Sequence, residues 1–150
     1  MSRGFPGSDG ATVRYFCPNC WNDFAEDLAG CPRCGVDIHA FWDSKDMAEK
    51  LILALAHPEP ETPIRAAWIL GERREAGAAA ALAALVRRTK DVYVATAAVE
   101  ALGKIGTREA LGFLNTLSSY PARMVREAAR EILRQHEAEP RLHEGQEDRG

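Results

Sequence analysis

One segment of about ten residues recurs three times in this 150-residue chain. Residues 94–103 align with residues 62–71 at a shift of 32, and residues 125–133 continue the series at a shift of 31. Apolar residues return every three or four positions in and between these segments, which is the period of an α-helix. A repeat of two helices cannot bury its apolar side alone and packs against the next copy. The sequence therefore predicts a mainly α chain with three stacked helical hairpins, an α-solenoid, over residues 44–137.

Six helices follow from the positions of the apolar residues, the prolines and the glycines. They are predicted at residues 45–56, 62–73, 77–88, 92–104, 107–118 and 122–136. Gly71 and Gly103, near the ends of two of these helices, are interpreted as signals of the breaks that follow. The same core position of each second helix holds a small residue, Ala66, Ala98 or Ala129. These alanines predict that the paired helices approach each other closely.

Together the three copies approximate the pattern Val-Arg-x-Ala-Ala-x-x-Ala-Leu-Gly, which is similar to the repeat of the short HEAT-like family first associated with phycobilisome lyases. The resemblance covers residues 47–136. It implies an adaptor that binds proteins or, as in some members, a lyase or isomerase that handles bilins. The arginine of the pattern is present only as Arg126, with Pro63 and Ala95 in the other two places. A ladder of arginines along the stack is therefore not expected.

All four cysteines of the chain lie in two Cys-Pro-x-Cys turns near the N-terminus, at Cys17, Cys20, Cys31 and Cys34. Two residues between the cysteines of a turn allow both sulfurs to bind one ion, and four thiolates form the tetrahedral set of a structural zinc site. The ten residues between the two turns are predicted to form a short hairpin. The sequence thus predicts one structural zinc per chain in a small β-type ribbon over residues 15–43.

The paired turns resemble those of a small zinc ribbon with CPxC knuckles. Trp21 stands where that family usually has glycine, whereas the second knuckle has Gly35, so the first turn is expected to differ in shape. Two alternatives stay open: iron, which rubredoxin holds with similar knuckles, and a thioredoxin-like redox pair. His39 is assigned to the surface or to a position behind the ligands.

Charge and hydropathy argue against two classes of partner. Residues 15–46 contain six acidic and two basic side chains, and such a ribbon repels the phosphates of nucleic acid. No apolar run is long enough to cross a membrane, and the first residues lack the apolar core of a signal peptide. We expect a cytoplasmic protein that binds neither nucleic acid nor membrane, with flexible tails at residues 1–14 and 138–150.

The pattern of reactive side chains favours a binding protein over an enzyme. A four-cysteine zinc site has no open position for substrate, and the histidines lie outside any nucleophile motif. We predict a non-catalytic adaptor; the alternatives are a bilin-lyase-like enzyme or accessory subunit, and an iron-bound electron-transfer protein. Trp68 aligns with Glu100 and Glu131, two residues expected to face solvent, so it either packs under the ribbon or anchors a partner. Trp21 poses the same choice.

Overall fold

The computed structural model describes residues 13–138 of the chain. These fall into two compact units, the first ending at Asp46 and the second beginning at Met47. The predicted tails lie outside the described residues except at their inner ends. One of those inner residues, Arg14, belongs to the first unit, because its guanidinium donates to the Asp23 carboxylate at 2.6 and 2.9 Å.

The first unit contains one antiparallel pair of strands, β1 at Tyr15–Phe16 and β2 at Asp23–Phe24, with Tyr15 opposite Phe24. The two strands flank the first cysteine turn, so the hairpin predicted between the two turns is wrong. The cysteine turn itself reverses the chain, and this brings the residues on either side of it into register. Around the second turn, an isolated bridge between Gly30 and Asp37 has the same role.

A short helix, α1 at Ile38–Asp43, follows the second cysteine turn and was not predicted. Six residues are too few to show a helical period. Its local signal is Asp37, whose side chain accepts a hydrogen bond from the amide of Ala40 at 3.0 Å and caps the N-terminus. Ile38 then packs with Cys17 and Cys31, and these three are the buried residues of the first unit's core.

The second unit contains six further helices in three consecutive pairs, which confirms the predicted helical hairpins. They are α2 at Met47–Ala54, α3 at Glu61–Glu72, α4 at Ala79–Arg88, α5 at Val92–Ile105, α6 at Arg108–Asn115 and α7 at Arg123–Ala138. Short 3₁₀ turns at Ala76–Ala78 and Thr116–Ser119 extend α4 and α6. Most predicted ends therefore lie within a few residues of the observed ones.

Capping residues explain where the central helices begin and end. The Asp91 side chain accepts hydrogen bonds from the amides of Tyr93 and Val94 at 2.9 and 3.3 Å, so α5 begins after it. The Thr107 hydroxyl accepts from the amide of Ala110 at 3.2 Å and starts α6. Between them, Gly106 ends α5 with φ of 65°, a conformation that glycine adopts without strain.

The second helices α3, α5 and α7 pack side by side, and each first helix packs against this layer. Leucines fill the contacts between the layers and are fully buried at Leu70, Leu82, Leu102 and Leu114. The recurrent alanines of the second helices, Ala66, Ala98 and Ala129, are buried as predicted. The repeat therefore places the same side-chain types in one continuous core.

Gly71 and Gly103 lie inside α3 and α5, within the predicted helix limits, and both are buried. They were interpreted as signals of helix ends, but they lie where neighbouring helices pack. A Cβ atom added at Gly71 would lie 2.9 Å from the Cα of Ala101, and one at Gly103 would lie 2.6 Å from Cγ2 of Ile132. Both distances are shorter than van der Waals contact. These glycines therefore set how closely neighbouring second helices approach.

Hydrogen bonds from side chains to backbone carbonyls link one repeat to the next. Arg88 donates to the carbonyl of Leu55 and Tyr120 to that of Val86, both at 3.1 Å. Arg88 and Tyr120 are 32 residues apart, so they occupy equivalent positions of consecutive repeats. Arg126 acts within its own pair, where it donates to the carbonyl of Tyr120 at 2.6 Å and of the following Pro121 at 2.8 Å.

Candidate metal centre and binding surface

The four cysteine sulfurs form one compact cluster, with all of them within 4.8 Å of one another. The Sγ atoms of Cys17 and Cys34 are 3.6 Å apart, and those of Cys20 and Cys31 are 3.7 Å apart. A tetrahedron with metal–sulfur bonds of about 2.3 Å has edges of about 3.8 Å. The sulfurs are therefore spaced to hold one tetrahedrally coordinated metal ion.

The first knuckle is the turn of residues 17–22. The Cys17 carbonyl accepts a hydrogen bond from the amide of Trp21 at 2.8 Å, and the Asn22 carbonyl accepts one from the amide of Cys17 at 3.0 Å. Inside the turn, the amides of Asn19 and Cys20 point at Sγ of Cys17 at 3.4 and 3.5 Å. Such N–H groups offset the negative charge of a thiolate.

The second knuckle repeats this geometry over residues 31–36. The corresponding bonds run from Gly35 to the carbonyl of Cys31 at 2.9 Å and from Cys31 to the carbonyl of Val36 at 3.0 Å. The amides of Arg33 and Cys34 point at Sγ of Cys31 at 3.3 and 3.4 Å. Each knuckle thus has the same backbone hydrogen bonds around its two cysteines.

Trp21 does not change the shape of the first knuckle, contrary to the expectation from the sequence. Its φ is 59°, in the left-handed region, and the φ of Gly35 at the equivalent place is 80°. Two backbone hydrogen bonds of the turn require this conformation, and Trp21 adopts it despite its Cβ. A non-glycine residue there carries a strain of about 1–2 kcal/mol.

Hydrogen bonds and burial shift the pKa values of the cysteine thiols in different directions. The side-chain amide of Asn19 donates to Sγ of Cys34 at 3.5 Å and is the main cause that lowers the pKa of that thiol to about 6. Burial raises the pKa of the Cys17 thiol to about 11. The amide of Cys34 lowers the pKa of Cys31. A cation held by the cluster would favour the thiolate form of Cys17, the most buried sulfur.

Among residues 13–138, the four cysteines are the sole group of three or more Cys, His, Asp or Glu side chains placed to hold a metal ion. His39 is exposed on α1 and outside the cluster. Asn19 is a neighbour of the site that sequence reasoning missed. Its signal was weak, since any residue type can stand between the cysteines of a knuckle.

Trp68 lies on α3 with 59% of its surface exposed, at the repeat position where α5 and α7 carry the exposed Glu100 and Glu131. Lys104 Nζ lies 5.7 Å from the centre of the Trp68 ring. Trp21 is half-buried and belongs to the first unit.

Trp68 is one residue of a surface that the three second helices share, which we call the second-helix face. Positions 93, 97, 100 and 104 follow one another at helical spacing on one side of α5, and α3 and α7 contribute the equivalent positions. Its members are Glu61, Arg65, Trp68 and Glu72 of α3, Tyr93, Ala97, Glu100 and Lys104 of α5, and Met124, Ala128, Glu131 and Gln135 of α7. All twelve are exposed or half-buried.

Two exposed apolar residues of this face, Tyr93 and Met124, were not predicted as binding residues from the sequence. They occupy equivalent positions, 31 residues apart, and are 65% and 43% exposed. The repeat alignment could have identified them, because both stand at the position where α3 has the polar Glu61.

Comparison with known protein families gives the family of the second unit. A family model described as HEAT repeats matches residues 48–134, more than half of the chain. Neither a search of curated proteins nor a search of solved structures returned a match. In the part of the chain that the structure describes, no helix is long and apolar enough to span a membrane. The stacked helix pairs and the family match agree, and the chain belongs to the HEAT repeat family.

Proposed function

We propose that this protein is a non-catalytic adaptor whose HEAT repeats bind a partner protein and whose cysteine cluster holds a structural zinc ion. The observation that carries the proposal is the repeat match over residues 48–134, since stacked helical repeats offer extended surfaces for protein partners. The exposed Trp68 on the second-helix face supports it, because tryptophan often anchors interfaces.

Zinc suits the cluster because four thiolates complete its tetrahedral coordination. A site closed in this way has no position for water or substrate, so the ion stabilises the fold and does no chemistry. The first unit needs such an ion, because its core has three buried residues, two of which are the ligands Cys17 and Cys31. Free thiols that bind metal fit a reducing compartment, and on this ground we place the protein in the cytoplasm.

The roles of other reactive groups support the non-catalytic assignment. The four cysteines are all placed at the metal cluster, which leaves no thiol as a nucleophile. The His136 ring contacts the Gly103 carbonyl at 2.8 Å, and Nδ1 of His57 accepts from the amide of Glu59 at 3.1 Å. These histidines act as helix and loop contacts. We also propose that the partner is neither nucleic acid nor membrane, because the ribbon is acidic.

The metal assignment is tested by elemental mass spectrometry of protein purified without added metal or chelator. One zinc per chain is expected. Iron instead would overturn the zinc assignment and favour electron transfer. A change in absorbance on incubation with bilins would overturn the non-catalytic assignment in favour of a bilin-lyase-like activity.

The adaptor role is tested by affinity capture from cells of the source organism, followed by quantitative mass spectrometry. The wild type is compared with Trp68→Ala and with Met47→Ala, a matched control that truncates an apolar side chain 57% exposed on α2. A protein that the wild type and the control retain, and that Trp68→Ala loses, is the expected result. Equal recovery of every protein with an unrelated bait would contradict the proposal.

A further inference from the structure

Equivalent residues of the second-helix face meet across neighbouring helices. Glu72 of α3 and Lys104 of α5 are 32 residues apart and form an ion pair. Near them, α3 and α5 approach so closely that a Cβ at Gly71 would lie 2.9 Å from the Cα of Ala101. Positions that align in the repeat are therefore neighbours in space on this face.

One part of the face is apolar. Tyr93 of α5 and Met124 of α7 are equivalent residues and are both largely exposed. One turn further along each helix stand Ala97 and Ala128, which are half-buried and pack against the core. The two large side chains thus border two small ones on adjacent helices. This arrangement leaves a shallow apolar area that can receive a large aliphatic or aromatic side chain.

One helical turn further along, the face combines an indole ring on α3 with carboxylates on α5 and α7. Trp68 of α3 aligns with Glu100 of α5 and Glu131 of α7. Lys104 Nζ lies 5.7 Å from the ring centre, and because 59% of the Trp68 surface is exposed, the indole still has area for a second cation. Glu131 pairs with Arg134, whereas Glu100 has no ion-pair or hydrogen-bond partner among residues 13–138.

The unpaired charges of the face have a negative sum. Lys104 is neutralised by Glu72. Within the described part of the chain, the charges of this face that lack an ion-pair partner are the carboxylates of Glu61 and Glu100 and the guanidinium of Arg65. Because two carboxylates stand against one cation, the face favours a cationic group over an anionic one.

We propose that the second-helix face binds a segment of the partner protein that carries an arginine or lysine and, about 10 Å from it, a large apolar side chain. The cation lies against the Trp68 ring and pairs with Glu100, and the apolar side chain covers Tyr93 and Met124. Glu100 and Tyr93 are seven residues apart on α5, about 10 Å along the helix. The two anchors of the partner are separated by this distance, which is two turns of a helix or about three residues of extended chain. The inference rests on the adaptor function and names the chemistry of its partner.

The test selects peptides from a random phage-displayed library on the full zinc-loaded chain. Sequencing of the enriched clones is expected to show lysine or arginine together with a large apolar residue at one of the two spacings. Enrichment of acidic peptides would overturn the proposal. Enrichment of no peptide at all would overturn this inference, whereas the capture experiment decides separately whether the protein is an adaptor.

Affinities of the enriched peptides are then measured by fluorescence polarisation with four variants. Trp68→Ala and Glu100→Gln are each expected to weaken binding about tenfold. The matched controls are Met47→Ala and Glu109→Gln, which change exposed residues of α2 and α6 and are expected to keep wild-type affinity. Peptides that bind all variants equally would leave the adaptor function standing and refute the site. Self-association that Trp68→Ala abolishes, measured by analytical ultracentrifugation, would refute it in favour of a second copy of the chain.

Discussion

Replacement of Gly71 by alanine tests how closely helices α3 and α5 must approach. The new Cβ would lie 2.9 Å from the Cα of Ala101, 3.2 Å from its Cβ and 3.3 Å from Cδ of Lys104. The lysine can rotate away, but the Cα of Ala101 is backbone and moves only with its helix. The two helices must therefore separate by about 0.5 Å or more to reach ordinary van der Waals contact.

The expected magnitude follows from two opposing terms. Overpacking of a close contact costs about 1–3 kcal/mol of unfolding free energy. Alanine is the better helix former, and this offsets about 1 kcal/mol of that cost inside a helix. The net effect of Gly71→Ala is a loss of about 1 kcal/mol, which corresponds to a fall in Tm of about 4–8 °C for a unit of this size.

Gly112→Ala is the matched control for Gly71→Ala. Gly112 lies in the middle of α6, is exposed, and has no atom within 4 Å of an added Cβ. Only the helix-propensity term remains, so this variant is expected to gain up to about 1 kcal/mol. The assay is thermal unfolding followed by circular dichroism at 222 nm with zinc present at saturation.

Opposite signs for the two substitutions are the expected result. A Gly71→Ala protein as stable as Gly112→Ala would refute the close approach of α3 and α5, since propensity alone would then explain both. A Gly112→Ala protein less stable than wild type would instead refute the propensity argument, which is the basis for the estimated offset.

Three further predictions concern the metal and one loop. Removal of the metal with a strong chelator is expected to abolish the ordered amide signals of the first unit in NMR spectra and to leave the helical circular dichroism nearly unchanged; loss of the helical signal would contradict this. Trp21→Gly is expected to raise zinc affinity by up to about tenfold, because it relieves strain at a positive φ. Gly35→Ala is expected to lower zinc affinity about tenfold, because it creates such strain. Competition with a chromophoric chelator measures both affinities. Arg126→Lys is expected to cost about 1–2 kcal/mol in urea unfolding, because the lysine side chain is shorter and does not bring its nitrogen to the position from which Arg126 Nη1 donates to both carbonyls. An unchanged midpoint would argue against that role.

The helices were predictable because two independent signals agree along the chain. Apolar spacing fixes which side of each helix is buried, and the 32-residue repeat fixes which helices are equivalent. The packing role of Gly71 and Gly103 was not predicted, because glycine is frequent both at helix ends and at close helix contacts. The sequence near Gly71 does not distinguish these cases. Ala101, thirty positions later, does so only after the helices have packed.

The cysteine cluster was predictable because the spacing of the cysteines alone brings four sulfurs together, whereas the positions of the strands were not. Each knuckle reverses the direction of the chain, so the strands form on the two sides of the first knuckle. The hairpin was expected between the two knuckles instead. Trp21 was expected to distort the turn from its poor intrinsic preference for positive φ. The two backbone hydrogen bonds of the turn and the packing of the four cysteines hold Trp21 at positive φ despite that preference. The conformational preference of a single residue does not predict this outcome.

The two units depend on different sources of stability, and this separates their functions experimentally. Twenty-one buried residues form the core of the second unit, whereas the first has three buried core residues, two of them cysteines of the cluster. Removal of the metal should therefore unfold the first unit and leave the second-helix face intact. If partner binding survives chelation, the contact lies on the HEAT repeats; if binding is lost while the helical signal persists, the ribbon itself contacts the partner.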